Sequence, residues 1–315
     1  MSGRVLDRWG NVLAILAIVV LPALFVSSPF YLRIGALIFI ASFAALGLNL
    51  LMGYAGQVSL GHAGFLGIGA YATAIVPAQL GVSPLLGAGV GVLAAGTLAY
   101  LVGRPILKLK GHYLAVATLA LGILIAMVIT NESRVTGGPD GMAVARLEVF
   151  GFRLRTPQHW YWITGGMLAL GVIVAENLMR SPTGLALRAL HDSEVASEVL
   201  GVDVARYKLI VFVVSAVYAA LAGACLALLN GHITPEVAGF LRSIELVTMV
   251  VIGGMGSMLG AVVGAALLGL LEQALAHFHD IESIVLGVVM MAVMIFLRAG
   301  IVPSLAGLFK RRVTP

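Results

Sequence analysis

The sequence predicts an all-α polytopic membrane protein with about ten transmembrane helices and with its N-terminus and C-terminus in the cytoplasm. Of its 315 residues, 60% are hydrophobic and 10% are charged, and the mean hydropathy is +1.06. A chain this apolar exceeds the composition of soluble domains, and its apolar runs are long enough to span a bilayer. Its Lys and Arg residues cluster at the ends of these runs, as they do at the cytoplasmic ends of membrane helices.

Ten apolar runs are predicted to cross the membrane, so that residues 1–315 form a single transmembrane domain. Most of the runs reach the roughly 17 residues that a bilayer requires. The eighth is shorter and ends in a glycine-rich turn, which is typical of a re-entrant or broken helix buried against its neighbours. The ten runs are 11–27, 34–52, 62–78, 84–102, 113–130, 160–178, 209–229, 244–255, 257–275 and 283–298.

The orientation follows from the distribution of basic residues. An inside N-terminus and ten crossings leave most of the 19 Lys and Arg residues on the cytoplasmic side. Residues 180–208 then form a cytoplasmic loop, and residues 131–159 form a periplasmic loop. If the eighth run did not cross, the C-terminus would lie outside. The same scatter of positive charge argues against nucleic-acid binding, which requires a single basic patch.

Several other classes of function are excluded by what the sequence lacks. The single cysteine, Cys225, lies within an apolar run and allows neither an internal disulfide nor a cysteine-based metal site. His277 and His279 stand close to acidic residues, but we interpret this stretch as a polar loop and expect no metal and no cofactor. No Walker phosphate-binding motif and no catalytic dyad is present, so we expect a transport subunit rather than an enzyme.

The most charged stretch, residues 180–208, separates two apolar runs and is predicted to fold into two short helices. Ser181 precedes a proline and is placed to cap the first helix. Asp192 is predicted to cap the second helix, and Glu194 in its first turn is favoured by the helix dipole. Gly201 stands where a left-handed residue commonly ends a helix.

The second of these helices has two faces. Val195 and Val199 lie four residues apart and form a small apolar face, while Glu194 and Glu198 place two negative charges side by side. Like charges at this spacing destabilise a helix slightly unless a basic group meets them. From spacing alone, the helix is either a solvated connector or a docking element for a basic surface.

A second informative stretch, residues 53–73, combines recurring glycines with three polar residues, Gln57, Ser59 and His62. Glycine at this density indicates close helix packing. The polar residues indicate a discontinuous helix at a translocation pathway, because lipid disfavours such groups and a lined cavity tolerates them. Both interpretations apply. His62 taken alone is more typical of a packed, hydrogen-bonded histidine than of a ligand.

Four stretches resemble permease subunits of branched-chain amino acid ABC transporters, in particular the M-type subunit. They are GYAGQVSLGHAGFLGIGAY from residue 53, TGGPDGM from residue 136, ALHDSEVASEVLGVDVARYK from residue 189 and VIGGMGSMLGAVVG from residue 251. The resemblance covers about residues 35–300 and departs mainly at the termini.

This resemblance implies a set of partners and a location. In that family two related permease subunits pair, two ATP-binding subunits dock below them, and a periplasmic substrate-binding protein delivers the amino acid. This chain is therefore expected to form a heterodimer with a sister permease subunit. The implied location is the bacterial cytoplasmic (inner) membrane. The acidic helix would dock into the ATPase, which assigns coupling to Glu194, Val195, Glu198, Val199 and Gly201.

The substrate class remains open between several alternatives. The resemblance favours leucine, isoleucine or valine, while related permeases carry urea or short-chain amides. An ion-coupled secondary transporter would have the same hydropathy, but it usually holds ionisable groups deep within its spans. Glu176, Glu245 and Glu272 are all predicted near span ends, which favours a permease driven by a separate ATPase.

Overall fold

The computed structural model describes residues 15–20, 28–109, 111–149, 152–153 and 156–275, together with positions 287–288, 291, 300–302 and 304. Residues 15–20 are helical. The α-helices between residues 28 and 275 are α1 (Pro29–Asn49), α2 (His62–Leu80), α3 (Pro84–Ile106), α4 (His112–Asn131), α5 (Ser133–Thr136), α6 (Pro157–Arg180), α7 (Pro182–Asp192), α8 (Glu194–Val199), α9 (Val204–Asn230), α10 (Phe240–Gly253) and α11 (Met258–Leu275).

Seven helices in the described part of the chain are long and apolar enough to cross a membrane: α1 with its π-helical extension, α2, α3, α4, α6, α9 and α11. They correspond to seven of the predicted runs, so the prediction of an all-α polytopic membrane protein is confirmed. The eighth run is a helix of only 14 residues, α10. The first run, 11–27, is described only at 15–20, and most of the tenth, 283–298, lies outside the described residues.

Close packing of small residues builds the centre of the bundle. Helix α9 packs along α2, with α1 and α3 beside them and α6 and α11 against α1. A side chain at Gly69 would collide with the backbone of Ala220, and one at Gly223 would collide with the carbonyl of Leu66. The predicted role of glycine in helix packing is therefore confirmed, and these contacts lie within the chain.

One end of the bundle carries short strands. β1 (Met142–Ala143) pairs antiparallel with β4 (His232–Ile233), and β2 (Glu148–Val149) pairs with β3 (Phe152–Arg153). The β1–β4 pair ties the loop that follows α4 to the end of α9. At the same end, the Arg33 side chain donates a 3.3 Å hydrogen bond to the Asn230 side chain. The connection between α7 and α8 lies at the opposite ends of α6 and α9.

Candidate functional site

A break in the helical backbone separates α1 from α2. Helix α1 continues as a π-helical turn, Leu50–Tyr54, and regular helix resumes only at His62. Gly56 has a φ of +65°, which residues with a side chain rarely adopt. Beyond it, the amide of Gln57 donates to the carbonyl of Leu51 at 3.1 Å and closes the turn. The helix interruption therefore lies between two membrane-length helices, α1 and α2, and not within one span as the sequence predicted.

The imidazole of His62 is held at the start of α2 by two hydroxyl groups. Its Nε2 lies 2.6 Å from the Oγ of Ser215 on α9, and its Nδ1 lies 3.2 Å from the Oγ of Ser59. All three side chains are buried. His62 is thus a packed, hydrogen-bonded histidine, and it joins the break to α9.

Two further side chains bind the backbone of the break. The amide of Leu60 donates to Thr118 Oγ1 on α4 at 3.1 Å, and the amide of Ala63 donates to Ser243 Oγ on α10 at 3.1 Å. These bonds satisfy amides that lack helical partners. Helices α4, α9 and α10 therefore all meet at the break, so a change in their relative positions must act on it.

Gln57 differs from the other polar groups of the break. Its side chain is 3% exposed, and neither amide atom has a hydrogen-bond partner in the part of the chain that the structure describes. A buried amide without a partner is unfavourable, so it is suited to a conformation or a ligand that supplies one. The structure brings Gln57, Ser59 and His62 together within this single break.

The charged loop folds into two helices, with caps that differ from those predicted. Ser193, not Asp192, caps α8, because its Oγ accepts from the amide of Ala196 at 3.2 Å and Asp192 is the last residue of α7. Ser181 precedes α7 as expected, but its hydroxyl donates to the carbonyl of Leu178 instead of accepting an amide. Side-chain orientation at a cap depends on the chain that precedes it, which spacing does not reveal.

The end of α8 agrees with the prediction. Gly201 has a φ of +82°, and its amide donates to the carbonyl of Glu198 at 3.0 Å. The amide of Val202 donates to the carbonyl of Ser197, also at 3.0 Å. These two bonds form a Schellman motif, which sets the direction of the chain into α9.

The two acidic residues of α8 do not share one role. Glu198 is exposed, whereas Glu194 forms an ion pair with Lys208 on α9, whose side chain is only 4% exposed. Lys208 is therefore a basic group that meets the acidic pair at Glu194, and a buried ammonium requires such a counter-charge. Val195 and Val199 are 66% and 83% exposed and form the predicted apolar face.

Helix α7 connects this loop to the break. Its residues Leu187 and Leu190 are buried in the main hydrophobic core. Next to them, His191 lies against Gly56, where an added Cβ would be 3.1 Å from the imidazole Nδ1. The loop thus touches the break directly.

The sequence does not single out His191, Lys208 or Ser215. Lys208 stands at the start of an apolar run and Ser215 is an isolated hydroxyl within it. Both are polar residues that a membrane helix retains only with a partner, which is a usable signal. His191 lies in a charged loop and has no such signal.

The glycine-rich turn that ends the eighth run, residues 253–256, packs against the glycine-rich stretch 53–73. Asn49 is fully buried, its Nδ2 donates to the carbonyl of Ser257 at 3.0 Å, and its Oδ1 accepts from the amide of Gly256 at 2.9 Å. A Cβ at Gly53 would collide with the backbone of Gly256. The turn between α10 and α11 is therefore fixed to the end of α1, beside the break.

The three carboxylates that were predicted near span ends are found there. Glu176 pairs with Arg180 at 3.2 Å in the last turns of α6, and Glu245 pairs with Arg242 at 2.6 Å in the first turns of α10. Glu272 lies in the last turn of α11. No group of three His, Cys, Asp or Glu residues that could hold a metal ion occurs among the described residues. His277 and His279 lie outside them.

The membrane-length helices define a multi-pass membrane protein with a buried polar break at one end of the bundle. The family model described as "Branched-chain amino acid transport system / permease component" matches residues 30–294, and the chain belongs to this family.

Curated relatives agree with this assignment. The chain is 31% identical to the high-affinity branched-chain amino acid transport system permease protein LivM of Escherichia coli (strain K12), over 91% of this chain and 75% of the relative. It is also 31% identical to LivM of Salmonella typhimurium, over 82% and 66% of the two chains. Identity to the permease protein LivH of Escherichia coli (strain K12) is 26%, over 79% and 88%. Solved structures yield no significant match.

Proposed function

We propose that this chain is the membrane-spanning permease subunit of an ATP-driven ABC importer that carries leucine, isoleucine and valine. The observation that carries the proposal is the family match over residues 30–294, together with relatives named as branched-chain amino acid permeases. Similarity to both LivM and LivH supports a pair of related permease subunits. Two ATP-binding subunits and a periplasmic substrate-binding protein complete the proposed importer in the bacterial cytoplasmic membrane.

The proposed topology has ten crossings with both termini in the cytoplasm. The described helix ends sort into two groups, which supports two opposite membrane faces. The contact of Gly56 with His191 belongs to the cytoplasmic face, and the contact of Arg33 with Asn230 belongs to the periplasmic face. Residues 180–208 are then cytoplasmic, and residues 131–159 are periplasmic.

The coupling mechanism that we propose begins at α8. Glu198, Val195 and Val199 are exposed and offer an acidic and apolar surface to an ATP-binding subunit, while Gly201 fixes the shape of the loop. Glu194, whose side chain is 33% exposed, belongs to the same proposed surface and also ties α8 to α9 through its ion pair with Lys208.

Movement of α8 would reach the membrane helices by two routes. One runs through the ion pair to α9 and from there to His62. The other runs through α7, whose His191 lies against Gly56. Because both routes converge on the break, Gln57, Ser59 and His62 are the proposed residues of the translocation pathway.

Radiolabelled uptake tests the substrate. The complete importer is expressed in cells that lack their own branched-chain amino acid carriers, and uptake of leucine and of urea is compared. We expect leucine uptake that excess isoleucine and valine inhibit. Uptake of urea without uptake of leucine would refute the proposed substrate while leaving the family unchanged.

A further inference from the structure

A large groove lies where α3, α8 and α9 meet. Its volume is about 1020 Å³. Tyr100 of α3 and Leu107, which directly follows α3, form one wall, and Leu209, Val213 and Val214 of α9 form the other. The groove therefore extends from the charged loop about two turns along the apolar part of α9.

Charged residues surround the end of the groove that faces the loop. Its lining contains four cations and three acids, which gives a net charge of +1; they are Arg104, Lys108, Arg206, Lys208, Glu194, Glu198 and Asp203. The charges of Lys208 and Glu194 cancel, because these two side chains form an ion pair. A third is engaged, since the Asp203 carboxylate accepts from the Arg206 backbone amide at 3.1 Å.

The remaining cations are available to a ligand. The side chains of Arg104, Lys108 and Arg206 are exposed. The Arg104 guanidinium lies 4.4 Å from the centroid of the Tyr100 ring and donates to the Tyr100 hydroxyl, which holds it at the level of the groove. Glu198 and Asp203 are the remaining acids against these three cations, so positive charge prevails.

The outer face of α3 is open to the surroundings. Only 22% of the residues in its apolar, membrane-length part are buried, and the side chains of Leu93 and Leu101 are 70% and 61% exposed. Exposed apolar side chains of this kind suit contact with lipid, so the apolar part of the groove can receive an acyl chain.

We propose that this groove binds one anionic phospholipid, with the phosphodiester held by Arg104, Lys108 and Arg206 and one acyl chain lying along Val213 and Val214. Basic pockets between membrane helices near the cytoplasmic surface bind anionic head groups, and the net charge of +1 matches a single phosphodiester. The choice of the cytoplasmic leaflet rests on the proposed function, whereas the site itself does not. The bound lipid would fill the space between α8 and the membrane helices.

The test counts lipids on the purified importer by native mass spectrometry. The complex is incubated with equal amounts of phosphatidylglycerol, phosphatidylethanolamine and phosphatidylcholine that have identical acyl chains. We expect the wild type to retain phosphatidylglycerol about tenfold better than either zwitterionic lipid.

Two double variants test the cations. Arg104→Gln/Lys108→Gln should retain about tenfold less phosphatidylglycerol than the wild type. The matched control Arg134→Gln/Arg146→Gln removes two exposed cations from the other end of the bundle and should retain the lipid.

A second variant tests the acyl part of the groove. Val213→Trp fills it and leaves every charge in place, so it should lower retention by a similar factor. Excess inorganic phosphate should not displace the lipid, because phosphate gains nothing from the apolar walls. Equal retention in the Arg104→Gln/Lys108→Gln variant, equal retention of the zwitterionic lipids, or displacement by phosphate would overturn the proposal. Since lipid binding is counted without transport, failure of the proposed substrate leaves this result unaffected.

Discussion

At the scale of single residues, hydrogen bonds to His62 hold the break in place. Removing the hydroxyl of Ser215 leaves the buried imidazole Nε2 without its 2.6 Å partner. We expect Ser215→Ala to destabilise the protein by about 1 to 3 kcal/mol, as a lower midpoint in thermal unfolding. Ser42→Ala is the matched control, because Ser42 is equally buried and its hydroxyl has no partner among the described residues. Equal midpoints for the two variants would contradict the proposed role of Ser215.

A second residue-scale prediction concerns the ion pair of α8 with α9. Glu194→Gln leaves the ammonium of Lys208 buried and without its counter-charge, which we expect to cost about 2 to 4 kcal/mol. This expected loss of stability lies toward the low end of the range for buried ion pairs, because 33% of the Glu194 side chain is exposed.

The control for this variant is Glu198→Gln, which should stay within about 0.5 kcal/mol of the wild type because Glu198 is exposed. A second variant, Glu194→Gln/Lys208→Met, removes both charges and should recover much of the loss. Thermal unfolding measures all three variants. A loss from Glu198→Gln as large as that from Glu194→Gln would show that the pair does not stabilise the loop.

At the scale of elements, the contact between α7 and the break has its own test. Gly56 and Gly81 have nearly the same φ, +65° and +64°, so alanine adds a similar strain of about 1 to 2 kcal/mol at both. At Gly56 the new methyl group also presses on His191, whereas at Gly81 it meets nothing within 4 Å. We expect Gly56→Ala to lower leucine-stimulated ATP hydrolysis of the assembled importer several-fold and Gly81→Ala to leave it unchanged. Similar rates in both variants would remove α7 from the coupling route.

The exposed side of α8 carries a separate prediction about docking. Glu198→Lys reverses a charge on the proposed ATPase surface, so it should weaken co-purification of the ATP-binding subunits by about tenfold or more. Gly201→Ala should weaken it less, by straining the left-handed end of α8. Gly231→Ala is the control for the second change, because Gly231 also ends a helix with positive φ but lies at the other end of α9. Wild-type co-purification in Glu198→Lys would mark α8 as a solvated connector.

The positions of these elements follow from the sequence more closely than their contacts do. Periodicity and composition predict the seven long helices, the break near Gly56 and the helical loop, because each depends on local residue types. The pairing of Glu194 with Lys208 depends on how α8 folds back onto α9. Likewise, the hydrogen bond from the Gly256 amide, in the turn after α10, to the Asn49 side chain joins residues about 207 positions apart. Contacts of this kind are set by tertiary packing, which one sequence does not specify.

At the scale of the whole molecule, the glycine-rich stretches turn out to pack within the subunit. Gly53 packs directly against Gly256, and Gly61 and Gly64 pack against Gly122. These glycines are therefore not available to pack against a sister permease. The expectation of two different permease subunits now rests on family membership. Transport by this chain and the ATP-binding subunits without a second permease would refute it.

The central claim is that this permease is driven by separate ATP-binding subunits acting through residues 180–208. The most direct measurement is leucine uptake into proteoliposomes that contain the permease pair and the binding protein, with and without the ATP-binding subunits. We expect uptake only when both the ATP-binding subunits and ATP are present, with no response to an imposed proton gradient. Uptake without the ATP-binding subunits that follows the proton gradient would contradict the claim and identify an ion-coupled carrier.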